Sequence, residues 1–143
     1  MADLSLVTAN EINVVESFEQ ATIKTEETVH PGQVGRFVTS TGLATKSNAS
    51  SAAEAAAYGL ATGKVANVAG MPVTFIRKGV VDGFDLSGLN YWAPVYISMT
   101  DGALTDADPD VYGESILVGR VIPASAVNLG TAFDKLLLVD FPL

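Results

Sequence analysis

No cysteine occurs in the chain, which excludes disulfides, thiolate metal sites and thiol nucleophiles together. Histidine is present once, as His30 in "TVHPGQ", so a Ser/His/Asp triad would have to use a residue placed directly before a proline at an expected turn. No elbow motif marks a nucleophile for it, and no catalytic role is assigned. Basic residues are scarce. Eight Lys and Arg stand against sixteen Asp and Glu, a formal charge of −8. Between Gly79 and Gly119 there is no Lys or Arg, while Asp82, Asp85, Asp101, Asp106, Asp108, Asp110 and Glu114 accumulate. Such a surface repels a phosphate backbone, so no nucleic-acid partner is expected. The longest apolar runs, such as "LLLV" at 136–139, are strand-sized and far short of the ~20 residues that span a bilayer. No membrane association is expected. The first twenty residues lack the basic start and apolar block of a signal peptide, which places the expected mature start at or near Met1.

What remains is an apolar chain with little charge. Of its 143 residues 48% are hydrophobic and 17% charged, too apolar for disorder and too poor in charge for the surface of an ordinary monomer. Part of its surface is expected to meet another protein. Short apolar runs punctuated by Gly, Pro, Asn and Asp predict an all-β domain. The clearest strands are "QVGRFVTS" (33–40), "MPVTFIRKG" (71–79), "APVYISM" (93–99), "SILVGRVI" (115–122) and "KLLLVDF" (135–141). "TSTGLAT" and "SMTDGALT" read as hairpins around Gly42 and Asp101-Gly102. In "SSAAEAAAYG", Ser51 and Glu54 form a capping box, alanines follow and Gly59 supplies a stop, so a short helix is expected near 51–58.

Shifting the chain by 60 aligns Gly42 with Gly102, Thr45 with Thr105 and Gly59 with Gly119. The expected organisation is therefore one β domain, 31–143, of two similar strand-hairpin units at about 31–79 and 84–141, preceded by an extended N-terminal arm at 1–30. The arm is acidic, apolar in patches and free of Gly and Pro before Pro31. It could cross a neighbouring surface, add a strand to a partner's sheet, or serve as an edge strand of its own domain.

Motifs for chemistry are few. Asp106, Asp108 and Asp110 alternate as in a calcium loop, but the sixth and twelfth loop positions hold Val111 and Leu117 instead of Gly and Glu, so no metal site is assigned. "GLATGK" lacks the spacing and final hydroxyl residue of a P-loop. "GVVDGFDLSG" (79–88) resembles the strand of trimeric dUTP pyrophosphatases in which an Asp activates water and an aromatic residue stacks on the sugar, which would make Asp82 and Phe84 the matching residues. The Arg-Ser-Ser segment and the C-terminal Gly-rich, Arg-containing motif of that family have no counterpart here. Arg36, Arg77 and Arg120 are the only arginines available to hold a triphosphate.

A second resemblance covers more of the chain. "APVYIS", the "TDGALTD" turn and "VGRV" before the last apolar strand are similar to the head decoration, or capsid cement, proteins of tailed phages, with a looser version in "GQVGRFVTSTGLAT" through "MPVTFIRKG". The resemblance spans residues 31–141 and rests on strand and turn motifs. It implies a compact β-barrel or β-tulip that forms a homotrimer on the outer capsid surface of the virion. Such a subunit is made in the host cytoplasm, binds the major capsid protein, and is no enzyme and needs no cofactor. Phage tail or fibre components and carbohydrate-binding β-modules are the further alternatives. Leu4, Leu6, Val7, Ile12, Val14, Val15 and Phe18 are the candidate capsid contacts, with barrel core as their other possible role. Tyr91 and Trp92 are candidate trimer contacts because aromatics are enriched at interfaces, Trp92 being equally compatible with core.

Overall fold

The computed structural model describes residues 2–110, 112–124 and 135–143. Nine strands carry the fold: β1 (Asn13–Lys24), β2 (Val34–Phe37), β3 (Ala44–Lys46), β4 (Ala57–Ala61), β5 (Pro72–Asp82), β6 (Pro94–Ile97), β7 (Leu104–Thr105), β8 (Leu117–Pro123) and β9 (Lys135–Asp140). They form one antiparallel sheet in the order β3-β2-β4-β5-β9-β8-β6-β7, with β1 pairing β5 off that path, and the sheet curls strongly into a half-barrel. All five strands expected from apolar runs are present, and both hairpins turn on glycines at positive φ, Gly42 (74°) and Gly102 (80°).

The pairing registers recur at a spacing of sixty. Arg36 faces Thr45 and Phe37 faces Ala44 in the first hairpin; Tyr96 faces Thr105 and Ile97 faces Leu104 in the second. Val34 and Gly35 face Leu60 and Gly59, as Pro94 and Val95 face Arg120 and Gly119, and a bulge follows directly in both cases, at Gly35/Arg36 and Val95/Tyr96. Gly59 and Gly119 are glycines for a shared reason: a Cβ on either would run into the backbone carbonyl of the next strand, at Ile76 and Leu138 respectively. The close approach of strands at those points leaves no room for a side chain.

The short helix expected near 51–58 is not formed; among the described residues there is no helix. The Ser51 half of the expected capping box is formed. The Glu54 amide donates to Ser51 Oγ at 3.2 Å, and the Ala55 amide reaches the Ser51 carbonyl, closing one turn. The chain then leaves for β4 at Ala57, because pairing with β2 and β5 satisfies its backbone and buries Leu60 and Ala61. An alanine run of two turns has no comparable burial to offer and is marginal as a helix. Gly59, expected as a helix stop, is a mid-strand residue.

Nor does the N-terminal segment stand apart as an arm. Residues 13–24 pair with β5 along its whole length. Ahead of them, the Leu4 amide donates to Leu104, the Val7 amide to Gly83 and the Ile12 amide to Gly63, lacing the segment across both halves. Ile12 is 2% exposed and belongs to the main core with Val34, Leu60, Ile76, Val95, Leu137 and Phe141. A smaller cluster of Val29, Ala44, Ala61, Val73 and Phe75 lies under the first hairpin.

Candidate functional site

The seven candidate contacts of the N-terminal segment divide by physical role. Ile12 is core, and Leu4 and Leu6 are half-buried against it. Val7, Val14, Val15 and Phe18 are exposed, Phe18 at 60%. A regular strand would send Val14 and Val15 to opposite faces. Here the register slips between Val14 and Glu16, again between Ser17 and Glu19, and once more between Glu19 and Gln20, so nearly the whole of β1 is open to solvent. Among the described residues no strand pairs with its outer edge. Repeated bulges and the interleaved Glu16 and Glu19 are devices that keep such an edge from uncontrolled pairing. Arg77 fastens the strand: its Nε donates to Glu19, and its Nη1 donates to the Phe141 carbonyl and lies 3.8 Å from Asp140. The hydrogen bond to Glu19, with the two nearby carboxylates, raises the guanidinium pKa further above its usual value.

The second surface is built where β8 meets the turn before β6. Tyr91 and Trp92 are both exposed, Trp92 at 58%, so the core role is set aside for this residue. The Arg120 guanidinium lies 5.1 Å from the indole centroid and donates to the Trp92 carbonyl at 3.0 Å; Lys135 Nζ lies 5.3 Å from the Tyr91 ring and donates to the Leu89 carbonyl. A groove of about 230 Å³ runs from Trp92 past Leu117, Arg120 and Leu138 to Asp140. Sequence reasoning singled out the two aromatics but not Arg120 or Leu117, which become their neighbours only through the β6–β8 pairing. The signal available was the "VGRV" segment, read as a strand and as part of the decoration-protein resemblance, with Arg120 considered only as a holder of triphosphate.

The remaining chemical candidates are structural in their surroundings. His30 Nδ1 accepts from the Asn67 amide at 3.1 Å, and its own amide donates to Gln33 Oε1 at 2.8 Å, tying two loops together. Asp106 accepts from the Ala2 amide, and Asp108 from the Asp110 amide two residues on. Among the described residues no group of three or more His, Cys, Asp or Glu could hold a metal ion. Asp82 is exposed at the end of β5, but Phe84 is 6% exposed and packed in the core, so its ring offers no free face for stacking on a sugar. Another groove, of about 470 Å³, is lined chiefly by Phe37, Ala52, Ala55, Tyr58, Ile97 and Ile116. No helix among the described residues is long and apolar enough to cross a membrane. Comparison with protein-family models, curated proteins and solved structures finds no match for this chain.

Proposed function

We propose that this protein is a structural subunit of a tailed-phage virion that binds the outer capsid surface, contacts the major capsid protein and stabilises the shell by clamping neighbouring capsomers. The observation that carries the reading is β1: a twelve-residue strand with Val14, Val15 and Phe18 exposed and its outer edge unpaired among the described residues. Exposed apolar side chains beside free backbone donors and acceptors suit docking on another protein. The sixty-residue recurrence of register and bulges supports reading the domain as two similar strand-hairpin units of one β-tulip, as the decoration-protein resemblance implies. A clamp of this kind acts by greater affinity for the intact lattice than for separated capsomers. A homotrimer multiplies modest contacts, because the second and third become intramolecular. Neither step requires catalysis or a cofactor. The hydrolase alternative draws no support from the geometry around Asp82, where the matching aromatic is core.

The test is co-sedimentation of the protein with empty, expanded heads of the virus that encodes it. Deleting residues 2–18 is unsuitable, since it removes Ile12 from the core. Val14→Ser, Val15→Ser and Phe18→Ser leave the core intact. Saturable binding of the wild type at fixed stoichiometry, weakened by these substitutions, is the expected result. Absence of wild-type binding refutes the capsid role and directs attention to tail, fibre or carbohydrate-binding functions.

A further inference from the structure

One sheet edge is closed twice in this fold, by different means. In the first hairpin the outer edge of β3 is covered by Thr25, bridged to Ala44, and the Glu26 amide donates to the Ala44 carbonyl at 2.9 Å. Sixty residues on, Leu104 and Thr105 of β7 stand in place of Ala44 and Thr45, and their edge is covered by residues 2–4. Asp3 is bridged antiparallel to Thr105; the Leu4 amide donates to the Leu104 carbonyl at 2.8 Å, and the Asp106 amide to the Ala2 carbonyl at 3.2 Å. The Ser98 hydroxyl donates to the Asp3 carboxylate and the Thr105 hydroxyl to the Ala2 carbonyl. Thr25 follows directly on β1 and cannot leave β3 without unravelling that strand. Residues 2–7 precede every strand, so they can leave β7 while Ile12 and β1 keep their places.

The seat continues past β7. The Asp85 amide donates to the Ser5 carbonyl at 2.8 Å and the Val7 amide to the Gly83 carbonyl at 2.7 Å, while the Leu6 side chain lies over Gly32, where an added Cβ would meet it at 3.0 Å. Gly32 is left-handed at φ 90°, its amide donating to the Ala61 carbonyl at 2.9 Å; its counterpart sixty residues on, Trp92, is left-handed at φ 67°, its amide donating to the Val121 carbonyl at 2.6 Å. The fold thus builds one turn twice. It accepts a side chain where the turn is open, Trp92 being 58% exposed, and takes glycine where Leu6 is seated. The seat holds the segment loosely. Leu4 and Leu6 are only half-buried, and grooves of about 460 and 360 Å³ run along the segment, one beside Pro31 and Ala103, the other beside Asp82 and Leu86. Its exit is a tight turn in which the Glu11 amide donates to the Thr8 carbonyl at 3.2 Å and Asn10 is left-handed at φ 61°, a geometry that favours glycine.

We infer that residues 2–7 exchange between copies of this chain: the segment of one copy occupies the β7 edge and the Gly32 seat of the next, with the Thr8–Glu11 turn as the hinge. The occupant is the one the seat already holds, so every bond and apolar contact listed for it within one chain is available between two. Exchange then costs the entropy of association, offset in part by release of the left-handed Asn10. From Ile12, which is fixed in the core, residues 2–11 extended reach roughly 33 Å, enough to cross to a neighbour. Giving a segment to one neighbour and receiving one from another is a heterologous contact, which closes into a rotationally symmetric ring such as the proposed trimer. The inference deepens the proposed self-association and rests on that part of the reading, not on capsid binding.

The absence of cysteine makes the test direct. Asp3 and Thr105 face each other between two flanking backbone bonds, a pairing whose Cα atoms lie about 4.5 Å apart, within disulfide reach. Full-length Asp3→Cys and Thr105→Cys proteins are mixed at about 0.1 mM, oxidised, and their linked peptides read by mass spectrometry. A link joining position 3 of one chain to position 105 of the other is expected, at a yield about tenfold or more above that at ~1 µM. The double variant, oxidised at ~1 µM, should close within one chain and so show the seat intact; failure to close overturns the seat itself. Closure of the double variant with no link in the mixture overturns exchange. Sedimentation velocity of the wild type then separates the readings: association means that copies meet through another surface, and a monomer means that the proposed self-association fails as well. Asn10→Gly should lower the linked yield and Asn10→Val raise it, each by about fivefold, and equal yields overturn the hinge. No heads enter the experiment, so none of these results bears on the capsid reading.

Discussion

Replacing Trp92 by glycine and, separately, by alanine should give two proteins of different stability, in an order opposite to the usual one. At an ordinary strand or turn position glycine is the less stable choice by about 0.5–1 kcal/mol, because it has more freedom to lose on folding. At Trp92 the backbone is left-handed, which costs a residue with a Cβ about 1–2 kcal/mol. Trp92→Ala keeps that cost and loses the interaction between Arg120 and the ring, worth about 0.5–1 kcal/mol at an exposed site. Trp92→Gly loses the same interaction but relieves the backbone, offsetting its own entropic penalty. Trp92→Gly should therefore fall within about 1 kcal/mol of the wild type, with Trp92→Ala about 1 kcal/mol below the glycine variant. The equivalent Gly32→Ala should cost at least as much, since its Cβ would also press on the Leu6 side chain at 3.0 Å. Urea unfolding followed by far-UV circular dichroism is the suitable assay, because both Trp92 variants lack the only tryptophan. Protein should be dilute enough to be monomeric, so that linked association does not enter. If Trp92→Ala proves as stable as Trp92→Gly, the left-handed turn does not constrain this residue and the argument from Gly32 fails.

Ile12→Ala should cost about 2–5 kcal/mol in the same experiment, as expected for a buried aliphatic, whereas Phe18→Ala, on the open face of β1, should change stability by about 0.5 kcal/mol or less. Gly59→Ala drives a Cβ into the Ile76 carbonyl and should destabilise by about 3 kcal/mol or prevent folding; Gly42→Ala, with open space around it, should cost only the ~1–2 kcal/mol of its left-handed backbone. Measured by thermal unfolding, the pair separates steric from conformational demands for glycine. Burial alone would raise the Glu27 pKa, but hydrogen bonds from the Thr45 hydroxyl and the Lys46 amide, together with the Lys46 charge, outweigh it and lower the value. Since the folded value lies below the unfolded one, the stabilisation is complete above the ordinary carboxylate range and disappears as pH falls through the lowered value. Tm measured against pH should therefore show the wild type and Glu27→Gln well separated at neutral pH and converging in acid. Equal separation at all pH values would refute this role for Glu27.

The chain by itself determined that this is an all-β protein, where five of its strands lie, and that its two hairpins turn on Gly42 and Gly102, because alternation of apolar residues and demand for positive φ are local properties. The sixty-residue recurrence was visible for the same reason, through glycines whose spacing the bulged strands require. Only the tertiary structure decided between helix and strand at Ala57–Ala61, where a formed side-chain cap from Ser51 to the Glu54 amide was overruled by the β2 and β5 edges that pair with the next residues. The fate of residues 2–24 was decided there too. The apolar pattern of "INVVESF" is equally that of a core strand and of a docking surface; Ile12, bridged to Gly63 ahead of β1, is buried, whereas Val14, Val15 and Phe18 on β1 are exposed, a division that no local spacing encodes. The groove beside Trp92 depends on Arg120, 28 residues away, brought there by backbone pairing. Local conformational preference is written residue by residue; which faces are covered depends on strands distant in the chain, and the surfaces left open follow from that.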